Sequence, residues 1–447
     1  LILLGFLSLS LVTLPRTAAG QITGQDAINS LVQRFFLAYE KKDLLATMAL
    51  WDEVAPDACI ARLTFKKRFS KDPDVQIKVN RVDASEVVGD SIKVTAVVEW
   101  RRAGDKAQTP SSDVKRIFYL VKRGGAWKVS LYLSSEEDLA RRIGSSQTES
   151  RRKELLAANT PLINLDFDAA LEQEGRRLIT HSRYLQALSV YNVKLEVATE
   201  LDNRSGMAAA LVGIGNSYQS TAFYDKGREY LDKGLKMYTD FSDPSGIARA
   251  LVGIGHVLTG QGRLAEARGY IVKSIKLTEE AHDKEEGERA VFFLARLEDE
   301  EGNYPEALVQ FRRALGLAEE LGDAYLIGWC WNNIAIVLGK RGDYQGALEN
   351  LEKGLKAAEE MGNQELSAAT FNNMGILQRN LGNYEQALAD EKRSLEIHQE
   401  IGDKLGIAYA LDDVGNDYAD LHDFPRALDF LKKCLSLLQE IRAGGRI

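Results

Sequence analysis

The sequence predicts a mainly α chain, seven helical hairpins repeating every 40 residues behind a small α+β domain. Three observations predict it. Stepping by 40 from Tyr184 meets Tyr224, Leu264, Tyr304, Tyr344, Tyr384 and Phe424. Three residues after each comes Ala187, Gly227, Ala267, Ala307, Ala347, Ala387 or Ala427. Ahead of these copies the apolar pattern changes from helical spacing to strict alternation. A fixed period of this size marks units that bury their apolar faces only by stacking on one another.

The elements follow in order. Leu1 to Pro15 is a short apolar run, followed by small residues at Thr17, Ala18, Ala19 and Gly20. Residues 1–20 are expected to be a signal peptide, truncated at its start because no Met precedes it, and cleaved after Ala19 or Gly20. The run is shorter than the roughly 18 to 20 residues that span a bilayer, so no span is expected in the mature chain, which is read as exported, periplasmic or secreted.

Residues 21–135 form the α+β domain. Ile28, Leu31, Val32, Phe35, Phe36 and Tyr39 recur at helical spacing. A second helix ends near Trp51, and a third covers about 58 to 69. Strands then alternate through Val75, Ile77 and Val79; Ile92, Val94, Ala96, Val98 and Trp100; and Ile117, Tyr119 and Val121. Trp127, Val129, Leu131 and Leu133 complete a hairpin turned at Gly124–Gly125. Residues 136–167 read as a linker with a surface helix and a segment that docks on the first repeat.

The repeats occupy 168–447. Small residues at Gly175, Gly215, Gly255, Ala295, Ala335, Gly375 and Gly415 let paired helices approach closely. Gly262, Gly302, Gly342 and Gly382 end first helices, where positive φ is needed. Asn203, Asp243, Asp283, Asp323, Asn363 and Asp403 recur as caps of the next helix. The first unit departs most, with Ser182 and Lys194 at turn and packing positions.

The runs GNYPEAL, GDYQGAL, GNYEQAL and HDFPRAL resemble the tetratricopeptide-repeat (TPR) signature. The 40-residue period resembles the long-helix repeats of kinesin light chains and bacterial signalling scaffolds; HEAT and armadillo repeats lack the Gly–aromatic–Ala spacing. The resemblance implies a right-handed TPR superhelix binding a protein or peptide in its concave groove. It also implies that the second, fifth, ninth, twelfth and thirteenth residues of each unit face inward. The fifth reads Val212, Val252, Phe292, Asn332, Asn372 and Asp412; the ninth reads Asn216, His256, Arg296, Ile336, Ile376 and Asn416. Arg249, Arg289 and Tyr409 stand at the second, so the groove is expected to run from basic (Arg249, Arg289, Arg296) to acidic (Asp412, Asp420). The pairs Asn332–Asn333 and Asn372–Asn373 are the sharpest candidates, because an amide both donates to and accepts from an extended main chain.

The helices-then-meander order of Ile28 to Trp51 and FYLVKRGGAWKVSLYL is similar to the nuclear-transport-factor-two-like cone, a family of enzymes and of non-catalytic binding domains. Family enzymes use a Tyr or His with buried carboxylates; here Tyr39 is present without any His, and Asp52, Glu53 and Asp57 read as solvated acids. No catalytic residues are assigned. Cys59, Cys330 and Cys434 make neither a disulfide framework nor a metal motif, and none of the five His pairs with a Cys at ligand spacing. No metal or other cofactor is expected. A net charge of −8, with no arginine–aromatic patch in the sequence, excludes nucleic acid as the expected partner.

The expected function is therefore an exported interaction scaffold. The last unit lacks a polar capping helix, which suggests that the native chain continues. The alternative is thus the sensing half of a longer enzyme, for example with a CHAT-type protease domain beyond residue 447. A third reading is a small-molecule-binding cone with the repeats as an assembly module. The sequence carries no signal of oligomeric state.

Overall fold

Six apolar side chains at helical spacing, Ile28, Leu31, Val32, Phe35, Phe36 and Tyr39, form the buried side of α1 (Gln25–Glu40). The computed structural model describes residues 25–52, 55, 58–71, 74–88, 91–102, 113–181 and 183–444. The expected signal segment, with Glu53, Asp57 and Ser182, lies outside them. By its contacts the chain divides into two units, Leu1–Ala55 with Arg62–Tyr132, and Leu133–Ile447 with Pro56–Ala61.

In the first unit, Asp43 caps α2 (Leu44–Ala49) by accepting from Ala46 N at 2.9 Å, and α3 (Ala58–Lys71) follows. Then come β1 (Val75–Val88), β2 (Ser91–Arg102), β3 (Asp113–Arg123) and β4 (Ala126–Ser134). They form one sheet in sequence order, with β1 and β4 as its edges, and the sheet stays open. Trp51 adds a single parallel bridge to Val129. Gly124 and Gly125 take φ of +55° and +84°, the pair of positive values that a two-residue hairpin turn requires.

Both faces of β3 carry buried side chains. Phe118 and Leu120 pair with Val94 and Ile92 of β2 and are fully buried, and on the opposite face Ile117 and Val121 are buried as well, on either side of half-buried Tyr119. The strand is apolar at five successive positions, Ile117 to Val121, so alternation could not choose its inner side. Phe118 and Tyr132 meet Phe35 of α1 with ring centroids 5.1 and 4.9 Å apart. Tyr39 packs edge-on to Trp100, 5.4 Å away, inside the aromatic core.

The second unit begins with α4 (Ser135–Gly144), held by a Ser134–Glu137 capping box, then α5 (Glu149–Ala158) and a 3₁₀ turn at Thr160–Leu162. Leu139, Ala140, Ile143 and Leu155 share one core with Phe167 and Leu171 of α6 (Leu165–Thr180) and Val190 of α7 (Tyr184–Glu200). This stretch therefore carries core side chains.

Six helix pairs then recur at the 40-residue spacing. They are α8 (Arg204–Ser220) with α9 (Tyr224–Asp240), α10 (Pro244–Gly260) with α11 (Leu264–Glu280), and α12 (Lys284–Glu300) with α13 (Tyr304–Leu321). They continue as α14 (Ala324–Lys340) with α15 (Tyr344–Met361), α16 (Gln364–Asn380) with α17 (Tyr384–Ile401), and α18 (Lys404–Asp420) with α19 (Phe424–Gly444). Every recurring Asn or Asp between pairs caps the following helix, as its spacing predicts; Asp243, for example, accepts from Gly246 N at 3.0 Å. Close approach explains the small residues: a Cβ added to Gly215 would lie 3.0 Å from Gly227 O.

Leu231, Ile271, Phe311 and Leu351 occupy the same inward position of successive second helices, and all are buried. Burial of each contributes roughly 1.5–3 kcal/mol. The fifth copy of that position is Glu391, also fully buried.

Candidate partner-binding face

One side of the first helices stays partly open to solvent. Arg249, Arg289, Trp329 and Tyr409 recur along it, as do Phe293, Asn333, Asn373 and Asp413, and Asn216, His256, Arg296, Ile336, Ile376 and Asn416. A contact between distant helices shows that this side is concave. Arg176 Nη1 of α6 lies 3.9 Å from Glu285 Oε1 of α12, across the intervening α8 and α10. Tyr184 of α7 and Tyr325 of α14 likewise both act electrostatically on Arg296 of α12.

The expected fifth-position row is mostly turned away from this face. Val212, Val252, Phe292 and Asn332 are buried, and of that row only Asn372 and Asp412 reach it. The next residue along, Phe293, Asn333, Asn373 and Asp413, is the half-open one. A one-residue step rotates a helix position by about 100°, enough to move a row from rim to core.

The two Asn pairs are joined by a bond between repeats. Asn332, 1% exposed, donates through Nδ2 to Thr370 Oγ1 at 2.9 Å and accepts from Asn373 Nδ2 at 2.8 Å. Its amide is engaged inside the array and orients Asn373. Asn333 donates to Trp329 O of its own helix at 2.8 Å. Asn372 Nδ2 donates to Glu391 Oε2 and Asp413 Oδ2, at 2.9 and 2.8 Å. Asn416 makes a 3.3 Å bond to Asp412. Asn216 is half-buried, and its Oδ1 would meet a Cβ added at Gly253.

The expected basic end is largely neutralised. Arg249 Nη2 lies 2.6 Å from Glu286 Oε1, and Arg289 lies 3.4 Å from the same oxygen and 3.8 Å from Glu285. Arg176 pairs with Glu172 at 2.8 Å. The spacing argument passed over Glu172, Glu285, Glu286 and Arg176, because charged residues on a repeat carry no positional signature of their own.

Arg296 differs. No carboxylate of the described residues lies within ion-pair distance, and its guanidinium sits over the Phe293 ring at 5.8 Å. Burial pulls its pKa below the usual arginine value, with Glu300 and Asp299 opposing. His256 packs against Phe293, tilted at 46° with centroids 4.8 Å apart; burial, aided by the Arg296 charge, lowers its pKa to about 3, so it is neutral. Cation, neutral imidazole and aromatic ring thus adjoin on the concave side.

Toward α18 the face turns acidic around one arginine. Arg379 lies 3.3 Å from Glu391, 3.3 Å from Asp413 and 3.0 Å from Asp417. In the first unit, Asp52 is buried and paired with Arg123 at 3.2 Å, not solvated as its sequence context suggested. Among the described residues no cluster could hold a metal ion, and no helix is long and apolar enough to cross a membrane.

The tetratricopeptide-repeat family model matches residues 246–320, 288–360 and 366–440, so this part of the chain is a TPR-repeat region. A search of the curated proteins finds no sequence match. Among solved structures, the Rap conjugation gene regulator of plasmid pLS20, in complex with the Phr* peptide, is 18% identical at a TM-score of 0.52. That alignment covers 67% of this chain and 79% of the regulator. A Rap protein complexed with competence and sporulation factor is 15% identical at a TM-score of 0.51, over 69% of this chain and 96% of that one. Aspartyl phosphate phosphatase F from Bacillus subtilis is 14% identical at 0.47, over 67% and 77%. At these identities the likeness is one of fold.

Proposed function

We propose that this chain is an exported scaffold whose helical array binds a short peptide, free or as a segment of a partner protein, along its concave face. The observation that carries the reading is the arrangement of side chains around Arg296. A guanidinium with no carboxylate among the described residues at ion-pair distance stands beside a neutral His256 on the face where α6 and α12 meet. Glu300 and Asp299 act on this cation without pairing with it; withdrawing it from water is costly, and an acidic group of a ligand at pairing distance relieves that cost. Asn373, oriented by Asn332, and Asn372 supply amides farther along the same face. The neighbour with the Phr* peptide supports the occupant's class. In this reading α6 and α7 count as a seventh hairpin of a right-handed superhelix, and the first unit is a cone-like accessory domain. The apolar run at 1–15 supports export.

The test is to select displayed peptides of about ten residues on the full chain, then measure their affinities for Arg296→Ala and Asn373→Ala. The expected result is a family of enriched peptides that lose about tenfold or more with Arg296→Ala, the size of a charge-assisted hydrogen bond. Enrichment no better than on an unfolded control would overturn the proposal.

A further inference from the structure

The α+β unit brings Arg34 of α1 to the cationic–aromatic run Lys122 to Lys128 at the hairpin of β3 and β4. Arg34 of α1, Lys122 of β3 and Lys128 of β4 line one cleft of about 450 Å³, with Trp127, Ser30 and Gly125. No acidic residue lines it, in a chain whose net charge is −8. Arg34 is exposed and makes no hydrogen bond or ion pair with any described residue. Lys122 Nζ stands 5.9 Å from the Trp127 ring centroid. Lys128 donates to Ala49 O at 2.7 Å, which uses one of its three N–H groups. The adjacent Arg123 is occupied by Asp52.

We propose that this cleft binds a small anion carrying a flat ring, an aryl phosphate or an aryl carboxylate. Its volume falls within the range of small-ligand pockets, about 300–1,000 Å³. The guanidinium offers a planar fork of donors to an oxyanion, and the two ammonium groups add charge from the strand side. The half-buried indole gives the ring an apolar wall. At Gly125, with φ of +84°, a Cβ would meet nothing within 4 Å, so the turn itself leaves the mouth open.

The experiment is calorimetric titration of the full chain with phenyl phosphate, phenylacetate and inorganic phosphate. The expected result is saturable binding of at least one aryl anion, about tenfold tighter than inorganic phosphate and weakened by salt. Which of the two binds better tells phosphate from carboxylate. Arg34→Ala and Lys122→Ala should each weaken it about tenfold, and Trp127→Ala should remove the preference for a ring. Arg34 and Lys122 are exposed, so these variants leave the core intact. Absence of saturable binding by both aryl anions overturns the proposal. So does an affinity unchanged in the Arg34→Ala, Lys122→Ala double variant, or one lost instead in Arg296→Ala, which would place the anion in the array.

Discussion

Lys194 Nζ lies 2.8 Å from Asp168 Oδ2, and both side chains are almost sealed from solvent. The same ammonium donates to the Asp168 carbonyl at 2.9 Å. In later hairpins its position holds Gly234, Ser274, Ala314, Gly354, Ser394 and Cys434, small residues that leave room for the preceding first helix. Here the aliphatic stem fills that space and the charge ties α7 to α6, with Asn203 Nδ2 also donating to Asp168 Oδ2 at 3.1 Å.

Lys194→Met should therefore destabilise the array by about 3–5 kcal/mol, because Asp168 is left buried without its counter-charge. The double variant Asp168→Leu, Lys194→Met should recover most of that loss. Urea unfolding of the three proteins measures it; equal midpoints for single and double variants would remove the ion pair from the explanation.

Glu391 and Asp417 make the seam of α16, α17 and α18 sensitive to pH. Burial raises Glu391 to about 9, reinforced by Asp413 and Asp417 and opposed by Asn372 and Arg379. Burial also raises Asp417 to about 6, opposed by Arg379 and reinforced by Asp413, Asp420 and Asp390. With folded values above the unfolded ones, the folded state holds more protons, so stability falls as pH rises. The window runs from the ordinary carboxylate range up to about 9 for Glu391 and about 6 for Asp417. Amide exchange in α16–α18 should speed up across it, beyond its intrinsic pH dependence, by at least about tenfold in the opening constant. Glu391→Gln should flatten the response; an unchanged slope in that variant would assign it elsewhere.

Two glycine substitutions should have opposite signs. A Cβ at Gly246 would stand 2.1 Å from the Tyr238 ring, so Gly246→Ala should cost about 1–3 kcal/mol by overpacking. Gly269, exposed within α11, has nothing within 4 Å of an added Cβ, and Gly269→Ala should gain about 0.5–1 kcal/mol. Thermal melts of both variants decide the matter.

The Asn pairs separate in the same way. Asn332→Ala removes the bonds to Thr370 Oγ1, which keeps its own to Leu366 O, and to Asn373 Nδ2, and leaves a gap at a buried position, which should cost about 1–3 kcal/mol of stability. Asn333, whose side chain among the described residues bonds within its own helix, should change stability by less than about 0.5 kcal/mol when replaced by Ala. Denaturant midpoints of the two variants test the assignment of Asn332 to the interior.

The sequence alone determined the repeat: its 40-residue step, the helix-opening aromatics, and the caps from Asn203 to Asp403. These are local requirements. A cap must lie two or three residues before the N–H it satisfies, and a close helix crossing needs a small residue at a fixed offset, so spacing records both. The core side of α1 was legible for the same reason, since one face of a helix was apolar and the other was not.

Only the tertiary structure decided which polar residues are free to meet a partner. Asn332 and Asn333 are adjacent and identical in type, yet one bonds across to α16 and the other to its own helix. Arg249, Arg289 and Arg296 all lie on the inner face, but Glu286 takes the first two and leaves the third. Long charged side chains choose partners by reach through space, across repeats and from α6 to α12. No linear spacing encodes that choice.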